Sequence, residues 1–327
     1  MKSLKVLVTG GAGYLGSVLT RQLLKENYEV CVMDNFMYGF NAISGLKANF
    51  KIMDVRNTDK DDIENFNTIV HLASIVGDNA CDLDPKETVK INYESTRNLA
   101  ELCNDLDKHL IFTSTCSVYG RNPDKISKED DQIVNPLSLY GETKLKSERG
   151  IEKSGCKSTI LRLGTLFGLS YRMRFDLAIN LFIAQAYLGE TLNIFGGQQI
   201  RPFCHVKDTV LFIMKVIKEQ LEGKYNVAWK NIKIKDAAYN IAELLDGKCK
   251  INKDITDERN YKIDINKMID TGFKPKRTID YACGEISSAY NLGKLQYYKN
   301  RMYSNYKSLF ENENLMKMVY TQGPIWK

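Results

Sequence analysis

Between residues 4 and 34 the chain runs strand, glycine turn, helix, strand, acid. Residues 4–9 (L-K-V-L-V-T) are a short, mostly apolar run that meets Gly10-Gly11-Ala12-Gly13-Tyr14-Leu15-Gly16. Leu15, Val18, Leu19 and Leu23 then recur at helical spacing, and a second apolar run, residues 30–33, ends on Asp34. That order commits the chain to a βαβ unit, and its chemistry is the binding of a dinucleotide. Gly10 turns the chain sharply out of the strand. Gly13 lets the backbone come close to a pyrophosphate, where the N–H groups and dipole of the new helix favour negative charge. Gly16 lets the helix pack against the strand. Asp34, eighteen residues beyond Gly16, is placed to accept hydrogen bonds from the adenosine ribose hydroxyls.

The alternation continues. Apolar runs at 49–54, 68–73, 109–115 and 158–163 read as strands, with helical periodicity at 86–106 and 136–153 between them. Strands alternating with helices predict an α/β fold whose parallel sheet is covered on both faces. After Gly168 the pattern loosens. Helices are expected at 174–188, 208–218 and 235–245, with short strands at 191–195, 201–206, 225–228 and 248–252. The strand at 225–228 is a candidate to return to the main sheet. The expected division is a nucleotide-binding domain at 1–168, completed by about 205–230. A smaller C-terminal α/β substrate domain at 169–290 and a peripheral helix and tail at 291–327 follow.

Composition bounds the function. With 327 residues, 43% hydrophobic and 26% charged, the chain is ordinary for a globular protein of about two domains. No apolar run reaches the roughly 18–20 residues needed to cross a membrane. Met1 leads directly into the first strand, so a cytoplasmic chain without a signal peptide is expected. The eight cysteines are scattered without a Cys-x-x-Cys pair, and the three histidines stand far apart. Reduced thiols and no metal site are the expectation. A net charge of +6 without a basic block gives no sign of nucleic-acid binding.

In an open parallel sheet, ligands lie beyond the carboxyl ends of the strands. The glycine loop, the end of the 109–115 strand and the start of the 136–153 helix should converge there. That helix carries Tyr140-Gly141-Glu142-Thr143-Lys144. Tyr140 and Lys144 stand four apart and share a helix face. An ammonium beside a phenol favours the phenolate, which suits a tyrosine acting as base or acid on a substrate hydroxyl. Thr115 can hydrogen-bond the same oxygen. Most Tyr-x-x-x-Lys pairs are solvated helix surface; the order after a glycine loop and a Ser-Thr strand end makes this one a candidate site.

The sequence resembles the extended short-chain dehydrogenase/reductases, the NAD-dependent epimerase/dehydratase family acting on nucleotide sugars. The Gly-x-x-Gly-x-x-Gly spacing is of that type. The ordered motifs are V-T-G-G-A-G-Y-L-G (8–16), D-N (34–35), D-V (54–55), H-L-A-S (71–74), T-S-T-C-S-V-Y-G (113–120) and P-L-S-L-Y-G-E-T-K (136–144). L-R-L-G-T-L-F-G (161–168), R-P-F-C-H-V-K-D (201–208) and D-E-R-N-Y (257–261) follow. The resemblance implies a Rossmann-type doubly wound sheet with NAD along Gly10, Gly13, Tyr14, Leu15 and Gly16. Asp34 and Asn35 would meet the ribose, Asp54 and Val55 the adenine, and Leu72 and Ala73 the strand-end wall. No arginine stands beside Asp34 to take a 2′-phosphate, which favours NAD over NADP. Thr115, Tyr140 and Lys144 match the catalytic trio, with Lys144 also bonding the nicotinamide ribose. Arg201 and Arg259 match contacts to the substrate's nucleotide diphosphate, and Asn180 is a candidate for the substrate or for helix packing. His71 and His205 read as core or loop-anchoring residues.

Two departures narrow the reaction. Nucleotide-sugar dehydratases of the family carry an Asp-Glu pair where this chain has Cys116 and Ser117. Without those acids water elimination lacks its general acid and base, and decarboxylases often keep the Glu at the Ser117 position. Thr165 replaces an asparagine of typical UDP-galactose 4-epimerases. The implied function is a nucleotide-sugar 4-epimerase using bound NAD, dimeric through a four-helix bundle and serving polysaccharide synthesis. The same trio would serve a one-way 4-dehydrogenase or 4-ketoreductase, and a silent NAD-binding regulator is the third reading.

Overall fold

The computed structural model describes residues 4–131, 134–253 and 258–311. Seven strands form one parallel sheet: β1 (Lys5–Thr9), β2 (Glu29–Asp34), β3 (Asn49–Ile52), β4 (Thr68–His71), β5 (His109–Thr115), β7 (Ser158–Leu163) and β11 (Gly223–Val227). Their order across the sheet is β3-β2-β1-β4-β5-β7-β11. The chain reverses direction across the sheet between β1 and β4, and the crevice at such a switch point is where ligands bind in this architecture.

The sheet is doubly covered because its strands are apolar on both faces. In β1, Val6 and Val8 belong to one core, and Leu7 belongs to the other. The first core extends into the C-terminal half through Phe167, Ile183, Phe203, Ile241 and Ile286. The second packs Leu7, Met33, Ile69, Phe112 and Ile160 under Leu99 and Ile151.

Smaller sheets build the C-terminal half. β6 (Arg121–Ser127) pairs in parallel with β14 (Asn260–Ile263). β8 (Thr165–Phe167), β10 (Ile200–His205) and β12 (Lys230–Lys233) form a second set, and β9 (Leu192–Phe195) pairs with β13 (Cys249–Asn252). The polar segment R-N-P-D-K-I-S of β6 carries no alternation, so its strand conformation comes from pairing with β14 rather than from local pattern.

Three expected elements differ. The helix at 86–106 is interrupted by a π-turn at Lys90–Glu94. It presents Asn92 inward, where Nδ2 donates to the Ile75 carbonyl and Oδ1 accepts from the Ile75 N–H and Ser74 Oγ. The helix expected at 174–188 begins only at Ala178, because Arg174 closes a two-point ion pair with Asp176 just before it. The C-terminal helix expected to be peripheral is Asn305–Phe310, and its first turn lines the central cavity. Of the peripheral helix and tail expected at 291–327, residues 312–327 lie outside the described residues.

Candidate active site

The crevice is a cavity of about 610 Å³. One wall is the glycine loop. Gly10 adopts φ +70°, and a Cβ there would sit 2.7 Å from the Ala73 nitrogen. A Cβ on Gly16 would sit 2.2 Å from the Gly10 carbonyl oxygen, so this residue is reserved for helix packing. At Gly13 the nearest atom is the Gly10 oxygen at 3.2 Å, and the missing side chain leaves space on the cavity side. Gly13 caps the helix Tyr14–Lys25 without a side-chain hydrogen bond. The first N–H groups of that helix are therefore available to an anion. The residues present fit a dinucleotide.

Asp34 ends β2 on the cavity. Its Oδ2 accepts from the Ala12 N–H at 2.9 Å and its Oδ1 from the Phe36 N–H at 2.8 Å. Burial pushes its carboxyl above the usual carboxylate range, against those two bonds. Asn35, Asp54, Val55, Leu72 and Ala73 also line the cavity, as do Tyr14 and Leu15. Asp54 is held by Arg56, whose Nε and Nη2 reach its two oxygens at 2.9 and 2.7 Å.

Thr115 stands at the end of β5, and Tyr140 and Lys144 project from the helix Leu139–Ser154; all three line the cavity. Ser138 caps that helix by accepting from the Gly141 N–H. A buried network pins the helix to the sheet: the Arg162 guanidinium on β7 grips Glu148 through Nε and Nη2 and donates through Nη1 to the Tyr119 hydroxyl at 2.8 Å. Both partners are almost fully buried.

The expected tuning of Tyr140 by Lys144 is corrected here. The Lys144 ammonium donates to the Thr113 carbonyl at 2.9 Å and lies 4.7 Å above the centre of the Phe112 ring. Burial pulls it down to about 8. Burial lifts the Tyr140 phenol above the ordinary tyrosine value, with Cys81 and Asp78 adding to the rise. Arg174 and a hydrogen bond with Thr115 oppose it. Desolvation exceeds the helix-neighbour effect because the ammonium is committed elsewhere.

Cys116 is fully buried and donates to the Arg162 carbonyl at 3.2 Å, away from the cavity. Ser117 does line it, 3.2 Å from Thr115 Oγ1 and 3.5 Å from the Tyr261 hydroxyl. Arg201, from β10, is buried with its guanidinium 5.2 Å from the centre of the Tyr261 ring. Arg259 forms an ion pair with Asp78 at the cavity. Asn180 lies outside the lining. Its Oδ1 accepts from the Gly168 N–H at 2.8 Å, and its Nδ2 donates to the Tyr14 hydroxyl and the Arg174 carbonyl. The structure thus gives it a packing role beneath the site.

His71 is buried between Thr9 Oγ1 (2.7 Å) and Thr96 Oγ1 (3.0 Å), and burial pulls it down to about 3, so it stays neutral. His205 caps the helix Val206–Glu219 and meets Glu285. The eight cysteines are free thiols. No helix among the described residues is long and apolar enough to cross a membrane.

Sequence reasoning missed Tyr38, Asp78, Arg172, Arg174 and Asn305, all on the cavity wall. Only the R-x-R spacing at 172–174 carried a local signal; the others are brought in by tertiary packing.

The comparisons agree with this geometry. The family model described as "NAD dependent epimerase/dehydratase family" matches residues 6–228. A UDP-N-acetyl-alpha-D-glucosaminuronate decarboxylase of Bacillus cytotoxicus is 29% identical over 76% of this chain and 82% of its own. A putative UDP-glucose 4-epimerase of Methanocaldococcus jannaschii is 31% identical over 62% of this chain and 70% of its own. The solved UDP-glucuronic acid 4-epimerase of Bacillus cereus, crystallised with UDP-glucuronic acid and NAD, superposes with a TM-score of 0.77 at 27% identity. It covers 88% of this chain and 99% of that one. With the glycine loop, the strand-end wall and the match over most of the sheet all in agreement, the chain belongs to the NAD dependent epimerase/dehydratase family of enzymes.

Proposed function

We propose that the protein is an NAD-using nucleotide-sugar 4-epimerase. The observation that carries this reading is the convergence of Thr115, Tyr140 and Lys144 on the cavity that begins at the glycine loop, with no carboxylate at 116 or 117. Bound NAD supplies a reversible hydride acceptor at the sugar's C4. The residues supply the rest. Gly10, Gly13 and Gly16 shape the loop, and Asp34 reads the adenosine ribose. Asp54 and Val55 flank the adenine, and Lys144 anchors the nicotinamide ribose. Thr115 orients the 4-hydroxyl, and Tyr140, as the phenolate that the ligand-free cavity disfavours, takes the hydroxyl proton during oxidation and, as the phenol, returns it during reduction. Arg201 and Arg259 hold the nucleotide diphosphate, a task suited to the planar guanidinium. Arg259 must first leave Asp78.

Relatives include UDP-uronic acid decarboxylases as well as UDP-sugar 4-epimerases. Ser117 in place of a carboxylic acid favours epimerisation here. We further propose that residues 169–290 mainly supply the sugar side of the cavity, and that the protein is a homodimer. The helices Ser95–Asp105 and Leu139–Ser154 pack side by side, a surface that supports this.

The test is incubation with a panel of UDP-, GDP-, CDP- and dTDP-sugars, including uronic acids, with products followed by NMR. Conversion to the C4 epimer without added NADH is expected. Stoichiometric NADH production points to a 4-dehydrogenase, loss of carbon dioxide to a decarboxylase, and no turnover with NAD still bound to a regulator; each overturns the assignment.

A further inference from the structure

Past β8 the chain is stitched to the first turns of the glycine-loop helix. The Tyr14 hydroxyl donates to the Gly168 carbonyl at 2.6 Å, and Ser170 Oγ donates to the Tyr14 carbonyl at 2.6 Å. Ser170 and Ser17 hydroxyls lie 3.2 Å apart, and Arg21 sits 3.8 Å from the centre of the Tyr171 ring. The next residue, Arg172, is thereby delivered to the cavity beside the glycine loop, within electrostatic reach of Asp34.

Arg172 is only 7% exposed. Its guanidinium lies 4.1 Å from the centre of the Tyr38 ring, and its Nη1 donates to Asn305 Oδ1. Its Nε and Nη2 are buried with no hydrogen-bond partner among the described residues, and the Tyr38 hydroxyl is in the same state. Burial pulls the guanidinium down to about 10, which leaves it a cation at neutral pH. A buried cation with two unmet donors is costly, and a phosphate supplies oxygens that the planar fork fits.

Asn305 is the fixed point behind it. Its N–H donates to Asp176 Oδ2 at 3.0 Å, its Nδ2 to the Val76 carbonyl at 3.1 Å, and its Oδ1 receives Arg172. Tyr306 and Leu309 of the same short helix pack with Ile75, Ala80, Cys81 and Ile91.

We propose that Arg172 is a phosphate-reading cation for the bound dinucleotide, and that Asn305, from the C-terminal strap, is the positioning residue that aims it. The inference rests on the reading that this cavity takes NAD. Its reach to Asp34, the residue that reads the adenosine ribose, assigns Arg172 to the cofactor. Arg174 and Asp78 are the charged groups that act on Tyr140 at the reacting end.

The experiment is calorimetric titration of the full-length protein, stripped of bound nucleotide, with NAD, ADP-ribose and adenosine. Arg172→Ala and Asn305→Ala should each weaken NAD and ADP-ribose by about tenfold to a hundredfold, the range of a charge-assisted hydrogen bond. Adenosine, which has no diphosphate, should change less than about twofold. Arg172→Lys should recover part of the loss. Unchanged ADP-ribose binding in both variants overturns the proposal, as does an adenosine loss equal to that for NAD. If Arg172→Ala does not fold, Asn305→Ala alone decides by the same ratio. Failure of the unaltered protein to bind NAD overturns the functional reading itself, an outcome distinct from variants that bind like the parent.

Discussion

Replacing Lys144 with methionine should stabilise the NAD-free protein while destroying its activity. The side chain is 3% exposed, and its ammonium has one carbonyl partner and the Phe112 ring. A fall from 10.5 to about 8, at about 1.4 kcal/mol per unit, makes the charged form cost about 3 kcal/mol at neutral pH. Methionine fills similar volume without charge. It forfeits the bond to the Thr113 carbonyl, worth about 1 kcal/mol, leaving a net gain of about 2 kcal/mol. For a chain of this size that raises Tm by about 3 °C. The gain also has a pH signature. Below pH 8 the lysine is protonated both folded and unfolded, and the cost is paid in full. Between about 8 and 10.5 the unfolded chain holds the proton and the folded one does not, so parental stability climbs with pH. The gap between parent and variant should therefore be widest at pH 7, close at about pH 9.5 and reverse sign by about pH 10.5. Thermal unfolding of nucleotide-free protein at pH 7 and pH 10 measures it. A variant that melts below the parent at pH 7, or a gap independent of pH, would refute the burial argument.

Tyr140→Phe should lower kcat by about a hundredfold to ten-thousandfold, the usual contribution of a general acid-base group, with NAD affinity within twofold of the parent; a rate near the parent's sinks the assignment of the phenol. Glu148→Gln strands the buried Arg162 cation and should cost about 3–5 kcal/mol in denaturant unfolding; a loss below about 1 kcal/mol would show that the pair does not fix the helix carrying Tyr140. Asp78→Asn removes one anionic partner that competes with the substrate diphosphate for Arg259. Because the pair is partly exposed and worth about 0.2–1 kcal/mol, KM for the sugar nucleotide should fall by up to about fivefold; a rise would instead place Asp78 on the sugar.

The difference between Lys144 as expected and Lys144 as found shows where reading a sequence stops. Four-residue spacing correctly puts Tyr140 and Lys144 on one helix face, because that follows from helix geometry. It carries no information about the Thr113 carbonyl, which competes for the ammonium and comes from a strand thirty-one positions earlier. Asn180 is a similar case. The sequence leaves it open between a substrate contact and helix packing, and partners at Gly168, Tyr14 and Arg174 occupy its amide.

By itself the sequence determined the parallel sheet, the glycine loop, Asp34 and the strand-end position of Thr115. Each of these is written in local order, as apolar runs of strand length, glycines where a side chain would collide, and an acid closing the second strand. Tertiary structure alone decided how the charges around the cavity are spent. Arg172 meets Asn305 across 133 positions, Arg259 meets Asp78 across 181, and β6 becomes a strand only beside β14. Such pairings depend on where packing delivers side chains far apart in sequence, and no local periodicity encodes that.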